Sequence, residues 1–408
     1  MSKSTHFIGQ PLYGQLINLL DKKKILALSH SLGGERYVKS FDGWNHLIIM
    51  LYAVIRRFDS LREIEASMLA EVGKLNHLGL KTLPRRSTLS DANTRRTEAF
   101  FEAIYRDLYS TFTNTLSSDS SRKRTPSWMK KLQIIDSTTI SLFSNLIFKG
   151  VGRNPKTGKK KGGIKVHTVI HANEGVPSDI QFTSAAKHDH FMLVPKNFKS
   201  GDILAMDRAY INYEKFEELT ESGVMYVTKM KKNLNYELQD DLMIQNADGK
   251  MTYRIQKVRF SKKLEDKTIH HQARIITYPE VKKGKLISLL TNDFEYYPEE
   301  IVAIYTKRWL IESLFKQVKQ NFPLRYFYGE SSNAIKIQIW VKLIANLLLS
   351  IMQKGLTRPW SFSGLATMIR ILLMYYIDFN SFFEHPEKDW KLWLEQVTKP
   401  PIQLSIFD

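Results

Sequence analysis

Leu132-Gln-Ile-Ile-Asp136 and Asp202-Ile-Leu-Ala-Met-Asp207 are short apolar runs that each end on an aspartate. Their length and composition predict β-strands, and a sheet presents its ligand site at the carboxyl edge of its strands, where both carboxylates would lie. A lone Asp at such a point is ordinarily a turn former. Two that converge repel each other and call for a cation between them. Further strands are expected at 163–171 and 176–182, with helical signals at 190–193 and 213–222, and the order reads as a mixed α/β sheet.

Outward from that core the apolar period changes. Between 224 and 290 it becomes two, clearest in Met251-Thr-Tyr-Arg-Ile-Gln-Lys-Val-Arg-Phe260, which predicts an inserted antiparallel sheet. Helical spacing resumes over 298–320, 333–354 and 363–383, and on the other side it runs from Pro11 to Leu116. Residues 117–127, rich in Ser, Lys and Arg with one Pro, have the composition of a linker. The expected organisation is an all-helical N-terminal domain at 1–116, a linker at 117–127, a catalytic α/β domain at 128–355 carrying the insertion at about 224–290, and a helical C-terminal region at 356–408, a candidate for dimerisation.

Sixty Lys and Arg against forty-one Asp and Glu give a formal charge of +19, which favours a polyanionic partner. Ribosomal, membrane-surface and nucleic-acid proteins share such a balance, so charge alone does not name it. A hydrophobic content of 43% suffices for packed cores. The absence of cysteine excludes a disulfide framework, a thiolate zinc site and a cysteine nucleophile, and fits a reducing cytoplasm. No long apolar core follows Lys3, so no secretory signal is expected. The apolar stretch 335–352 is interrupted by Lys336, Gln338, Lys342 and Asn346, the pattern of a buried helix rather than a bilayer span.

The third acidic candidate lies in Tyr305-Thr-Lys-Arg308-Trp-Leu-Ile-Glu312-Ser-Leu-Phe-Lys-Gln-Val-Lys319. Read as one helix at about 100° per residue with Tyr305 at 0°, Arg308 falls at about 300°, Glu312 at about 340° and Lys319 at about 320°. Ile304, Leu310, Ile311, Leu314, Phe315 and Val318 form the opposite, core-facing side, with Lys307 a misfit among them. An ordinary amphipathic helix with solvated or paired charges has the same spacing. The identities point further: a carboxylate between Arg and Lys can ligate a metal while the cations grip phosphates. Two-metal phosphoryl transfer needs carboxylates holding divalent ions about 4 Å apart, one activating a water or 3′-hydroxyl and the other stabilising the leaving oxygen. Hard oxygen ligands make magnesium, two ions per site, the natural cofactor, with manganese a substitute.

These residues resemble the DDE transposases of the bacterial insertion-sequence-4 group, whose signature is Tyr, two residues, Arg, three residues, Glu, six residues, Lys. Tyr305, Arg308, Glu312 and Lys319 match it position for position. Ile135-Asp136-Ser-Thr looks like the family's first-Asp motif, Gly163-Ile-Lys-Val-His167 like the following strand, and Met206-Asp207-Arg-Ala-Tyr210 like its second, with Ala209 where Gly is usual. A methyl there is tolerated unless the backbone needs positive φ. Ser60-Leu-Arg-Glu-Ile-Glu65 and Ser87-Thr-Leu-Ser-Asp-Ala-Asn93 look like the helical domain that precedes many of these cores, so the resemblance covers about Phe7 to Gln353.

The resemblance implies a ribonuclease-H-like fold with a β insertion between Asp207 and Glu312, and a cut-and-paste transposase in which Asp136, Asp207 and Glu312 hold the metals. It implies double-stranded DNA as partner, as terminal inverted repeats and as target, a homodimer in the synaptic complex, and a bacterial cytoplasmic, nucleoid-associated location. In related enzymes the insertion steadies a flipped base on an aromatic residue. Here it has no tryptophan, leaving Tyr226, Tyr236, Tyr253, Phe260 or Tyr278. Two rivals remain at this stage: a nuclease of the same fold without strand transfer, and an inactive DNA-binding regulator.

DNA contacts are expected from Tyr305, Arg308, Lys319 and Arg208. The Ser/Thr-rich helix start of 83–96 adds Arg85, Arg86, Arg95 and Arg96, and the basic hairpin 149–161 adds Lys159, Lys160 and Lys161. His188-Asp189-His190 is tempting as a metal set, but neighbours in a strand point opposite ways. His270-His271 reads as a surface pair near charged turns.

Overall fold

A computed structural model describes residues 9–80, 82–117, 125–141, 163–246, 248–249, 251–263, 268–280, 284–388, 390–391 and 394. The chain divides into two compact units, residues 116–316 and residues 1–115 together with 317–408.

The first of these is built on β1 (Leu132–Ser141), β2 (Gly163–His171), β3 (Pro177–Ser184), β4 (Ile203–Met206) and β5 (Met225–Lys229), ordered β3-β2-β1-β4-β5. β1 runs antiparallel to β2 and parallel to β4, and β4 is parallel to β5, the ribonuclease-H-like arrangement. All four residues of β4 are buried, as its unbroken apolar run requires of a central strand covered on both faces. The strand therefore has one register available to it, since any slip would carry Asp202 or Asp207 into the sheet interior.

Before the fifth core strand the chain crosses by α7 (Tyr213–Glu221), whose start is capped by Asn212 accepting from the backbone N–H of Lys215 at 3.3 Å. Phe216 and Leu219 point inward from this helix, and Phe216 stacks on Tyr226 of β5 with ring centroids 4.0 Å apart.

The β-rich block differs from expectation in two ways. Its first strand, β5, belongs to the core sheet, because apolar residues buried on both faces carry no alternation to separate them from the region that follows. The remainder, β6 (Glu237–Gln245), β7 (Thr252–Lys263), β8 (Thr268–Pro279) and β9 (Leu286–Thr291), is antiparallel as the period of two implies, yet it is not a separate sheet. β9 pairs with β5, so nine strands form one continuous sheet. Val258, Phe260, Ala273 and Ile275 of the insertion share a core with Leu204, Met206 and Phe216.

His271 sits in that shared core. It is fully buried rather than on the surface, bonded through Nε2 to the Tyr226 hydroxyl at 2.7 Å and through Nδ1 to Glu217 at 2.6 Å. Its neighbour His270 is exposed and bonds Ser261. Strand alternation sends the two side chains to opposite faces, which separates them in role.

The helical unit holds α1 (Leu12–Ile17), α2 (Lys22–Ser31), α3 (Gly43–Arg56), α4 (Leu61–Ala70), α5 (Arg86–Arg95) and α6 (Glu98–Ser117). With them group α10 (Ser332–Lys354), α11 (Phe362–Leu372) and α12 (Phe379–Glu384), so the division of the chain has no boundary near 355. α10 is long and apolar enough to cross a membrane by composition, but it is almost wholly buried against its neighbours. Asp42, Ser60 and Ser331 cap the starts of α3, α4 and α10, each accepting a backbone N–H within the first turn. Glu98 ties α6 to α10, its carboxylate accepting from Lys336 at 2.7 Å and Trp340 at 2.9 Å.

Candidate active site

The parallel register of β1 and β4 ends at Ile135 opposite Met206, so the next residues out are Asp136 and Asp207. The two aspartates thus leave the sheet side by side. Asp136 does not end its strand, as the apolar run suggested. It is the fifth residue of a strand that continues to Ser141, paired with β2. The polar Ser137-Thr-Thr139 that follows hid this continuation, because only one side of β1 is covered by a strand there.

Each aspartate is oriented by the backbone just beyond it. Asp136 Oδ1 accepts from the N–H of Ser137 and Asp207 Oδ1 from that of Arg208, both at 2.7 Å. Ala209 does not adopt positive φ, so its methyl group is accommodated without backbone strain.

The third carboxylate comes from the helical segment after the insertion, which is not one helix. α8 (Pro298–Thr306) carries Tyr305, α9 (Trp309–Asn321) carries Glu312, and Lys307 and Arg308 form the turn between them. There the bonds tighten to i→i−3, from Arg308 N to Tyr305 O at 3.0 Å and from Leu310 N to Lys307 O at 2.9 Å. A single projection through this joint therefore misplaces Tyr305 relative to Glu312, although Arg308 and Glu312 keep their four-residue pairing.

Arg308 is the hub. One guanidinium nitrogen lies 3.4 Å from Asp136 Oδ2 and the other 2.6 Å from Glu312 Oε1, so a single half-buried cation spans two of the three carboxylates. Its Nε is buried without a hydrogen-bond partner among the described residues. The guanidinium carbon lies 5.9 Å from the ring centroid of Tyr305 and 5.4 Å from that of Trp309.

The electrostatics record the convergence. Burial raises the Asp136 carboxyl to about 6, reinforced by the negative charges of Asp207 and Glu312 and opposed by the Ser137 N–H and Arg308. Burial also raises the Tyr305 phenol. A carboxylate held this far from its ordinary range beside two others is under-compensated, and a further cation is the direct remedy. As placed, no three His, Asp or Glu side chains among the described residues stand close enough to hold one ion. Arg308 fills the space between Asp136 and Glu312 instead.

A second polar cluster adjoins Asp136. Asp189 lies in a short 3-10 turn rather than a strand, and accepts from Ser137 Oγ at 2.8 Å, with Lys165 at 3.2 Å and His167 at 3.7 Å. Burial lowers His167 to about 4, so its ring is neutral at ordinary pH. Asp189 therefore braces the residue that orients Asp136, while His188 and His190 stack on each other with centroids 5.9 Å apart. Sequence reading passed over Asp189 as part of a metal triplet.

A groove of about 1020 Å³ opens from the carboxylate edge toward the insertion. Asp207, Arg208, Tyr305 and Arg308 line its end at the carboxylate edge, and Lys229, Lys231, Lys232 and Lys285 make it basic. Of the five aromatic residues considered, Tyr236, Tyr253 and Tyr278 line it, with Tyr236 the most exposed at 39%. Tyr226 and Phe260 are buried in the core. Trp309, 61% exposed, also lines the groove. It lies outside the insertion, and sequence reading passed over it.

The remaining sequence candidates divide. Arg85, Arg86 and Arg95 of the helical unit are exposed, and so is Lys319. Arg96 is not available to a DNA surface: it is 2% exposed, ion-paired with Glu35 at 3.5 Å and donating to Phe41 O at 2.6 Å. The hairpin lysines Lys159, Lys160 and Lys161 lie outside the described residues.

Comparison with known proteins identifies the family. Residues 127–348 match the family "Transposase DDE domain", and residues 8–81 match "Domain of unknown function (DUF4372)". The chain is 28% identical over 270 residues to y4zB of Sinorhizobium fredii, named as a transposase, covering 66% of this chain and 71% of that one. It is 25% identical over 227 residues to a protein of Geobacillus stearothermophilus named as a transposase for insertion sequence element IS5377, covering 56% and 58%. The transposase for IS231B of Bacillus thuringiensis is 21% identical over 373 residues, 79% of this chain and 75% of that one. A solved piggyBac transposase synaptic complex with hairpin DNA covers 98% of this chain and 84% of its own at 11% identity, with a TM-score of 0.44. With a matched domain that spans Asp136, Asp207, the Arg308 hub and Glu312, the chain belongs to the DDE transposase family of insertion sequences.

Proposed function

We propose that Asp136, Asp207 and Glu312 are the catalytic carboxylates of this transposase and that they hold two divalent ions, magnesium by preference. The observation that carries this reading is the pairing of strand register with the Arg308 hub: Asp136 emerges beside Asp207 and shares one cation with Glu312. The donors are all hard oxygens, and the raised Asp136 carboxyl marks a site short of positive charge, so the residues fit such ions. Bound there, the ions would supply Lewis-acid polarisation of a phosphodiester and activation of its attacking water or hydroxyl.

The chain's own residues do the positioning. Asp136 and Asp207 are held by the backbone N–H groups of Ser137 and Arg208. The orphaned Nε of Arg308 suits a phosphate oxygen, and with Arg208 it would grip the DNA backbone at the groove's end. Lys229, Lys231 and Lys232 would continue that track, and the faces of Tyr236 and Trp309 would stack an unpaired base. Lys319, exposed near the end of α9, is assigned to phosphate contact by its place in the signature. The substrate is double-stranded DNA, bound as terminal inverted repeats and then as target, by a homodimer acting in the bacterial cytoplasm on the nucleoid.

Excess EDTA should reduce nicking and joining of a terminal-repeat substrate to background, and added magnesium or manganese should restore both. Cleavage that survives chelation removes the divalent ions from the account. A pre-cut end that is never joined to a plasmid target would reduce the activity to that of a nuclease.

A further inference from the structure

Among the described residues Tyr37 is the most exposed large hydrophobic side chain, at 82%, and its backbone adopts φ +59. A bulky residue in the left-handed region is strained, a conformation that Gly33 of the same loop adopts freely at φ +71; the Tyr37 hydroxyl accepts from Arg36 Nη2 at 3.3 Å. The strain presents the ring to solvent beside Arg36, whose guanidinium lies 5.1 Å from the ring centroid.

The ring edges a cavity of about 230 Å³ lined by Gly33, Gly34, Arg36, Val38, Arg95 and Arg96 as well as Tyr37 itself. Three arginines meet there. Arg36 and Arg95 are exposed and have no acidic partner among the described residues. Arg96 is the buried wall, 2% exposed, anchored by Glu35 and Phe41 through its terminal nitrogen while its Nε has no partner among the described residues. Two guanidinium groups at the edge of one cavity, neither with a carboxylate among the described residues to neutralise it, suit an anionic acceptor. The opening is flanked by glycine backbone, which lets a ligand approach closely, and Gly34 has no room for a Cβ against Ser29.

We propose that this pocket binds one nucleotide of a DNA strand, its phosphate held by Arg36 and Arg95 and its base stacked on Tyr37. The proposal rests on the DNA-cleaving reading above and gives the matched domain of unknown function, which includes the Tyr37 loop, a binding role. Arginine forks suit phosphate oxygens, and an exposed aromatic face is the general receptor for an unpaired base.

The test uses the full chain, a labelled mixed-sequence duplex with a single-stranded overhang, and EDTA to prevent cleavage. Tyr37→Gly relieves the strained backbone, so its melting temperature should hold or rise while affinity for the overhang falls about tenfold, the effect of losing one stacking contact. Arg36→Ala combined with Arg95→Ala should weaken binding and lower the slope of log K against log salt by about two. Variants that bind within twofold of the parent with an unchanged slope overturn the pocket alone. A parent chain with no affinity for the duplex overturns both the pocket and the DNA-cleaving reading. A Tyr37→Gly chain that binds weakly because it melts early assigns Tyr37 to the fold and likewise overturns the proposal.

Discussion

Replacing Glu312 by Gln is expected to abolish strand cleavage while leaving the affinity for terminal-repeat DNA within a few-fold of the parent. The change is nearly isosteric, so α9 and its core face should be undisturbed, and Arg308 keeps a neutral acceptor in reach of the bond it now makes at 2.6 Å. The carboxylate charge alone is lost. With it goes one of three anionic ligands, and phosphoryl transfer that depends on fixed charge at the reacting oxygens should fall by at least about 10³-fold. A gel assay of nicking beside an anisotropy titration separates the two effects. Full cleavage in this variant would remove Glu312 from the site, whereas equal loss of binding and cleavage would make it a DNA-contact residue.

Asp136→Asn should make the protein inactive and more stable. In the fold Asp136 titrates at about 6 against an ordinary value of 3.8, chiefly because it is buried. The folded state therefore binds more protons than the unfolded state between these values, and stability falls as pH rises through that window. Above about 6 the penalty is complete, roughly 2–3 kcal/mol at about 1.4 kcal/mol per unit. A neutral Asn escapes it. In EDTA at pH 7.5 the variant should resist urea by about that margin, and the gap should close toward pH 4, where the parent carboxyl is protonated. Divalent ions should narrow the gap by stabilising only the parent. A variant less stable than the parent at pH 7.5, or a gap that ignores pH, would show that Arg308 and Ser137 already compensate the buried charge.

Part of the candidate site was legible because its features are local. Two apolar runs ending on Asp identify adjacent strands, and the four-residue spacing of Arg308 and Glu312 survives any change in the helix before it. The break at Lys307 and Arg308 was not legible, since no proline or glycine marks it and the apolar spacing continues across it. What depended on distant partners was also hidden. Arg96 has the composition of a DNA contact until Glu35 is found against it, and His271 looks superficial until Tyr226 and Glu217 close around it. Asp189 is the instructive case: next to two histidines it suggests a metal ligand, and only the turn it occupies reveals the bond to Ser137 that steadies Asp136. The extension of the core sheet by the insertion escaped notice because strand β5 shows burial on both faces and no alternation.

Anomalous diffraction at the manganese edge, from crystals of the chain with a pre-cut transposon end, tests the metal assignment most directly. Two peaks should appear, ligated between them by Asp136, Asp207 and Glu312, with the Arg308 side chain withdrawn from between the carboxylates and turned onto a phosphate. Peaks bound elsewhere, or Arg308 still bridging Asp136 and Glu312 with no ion beside them, would contradict it.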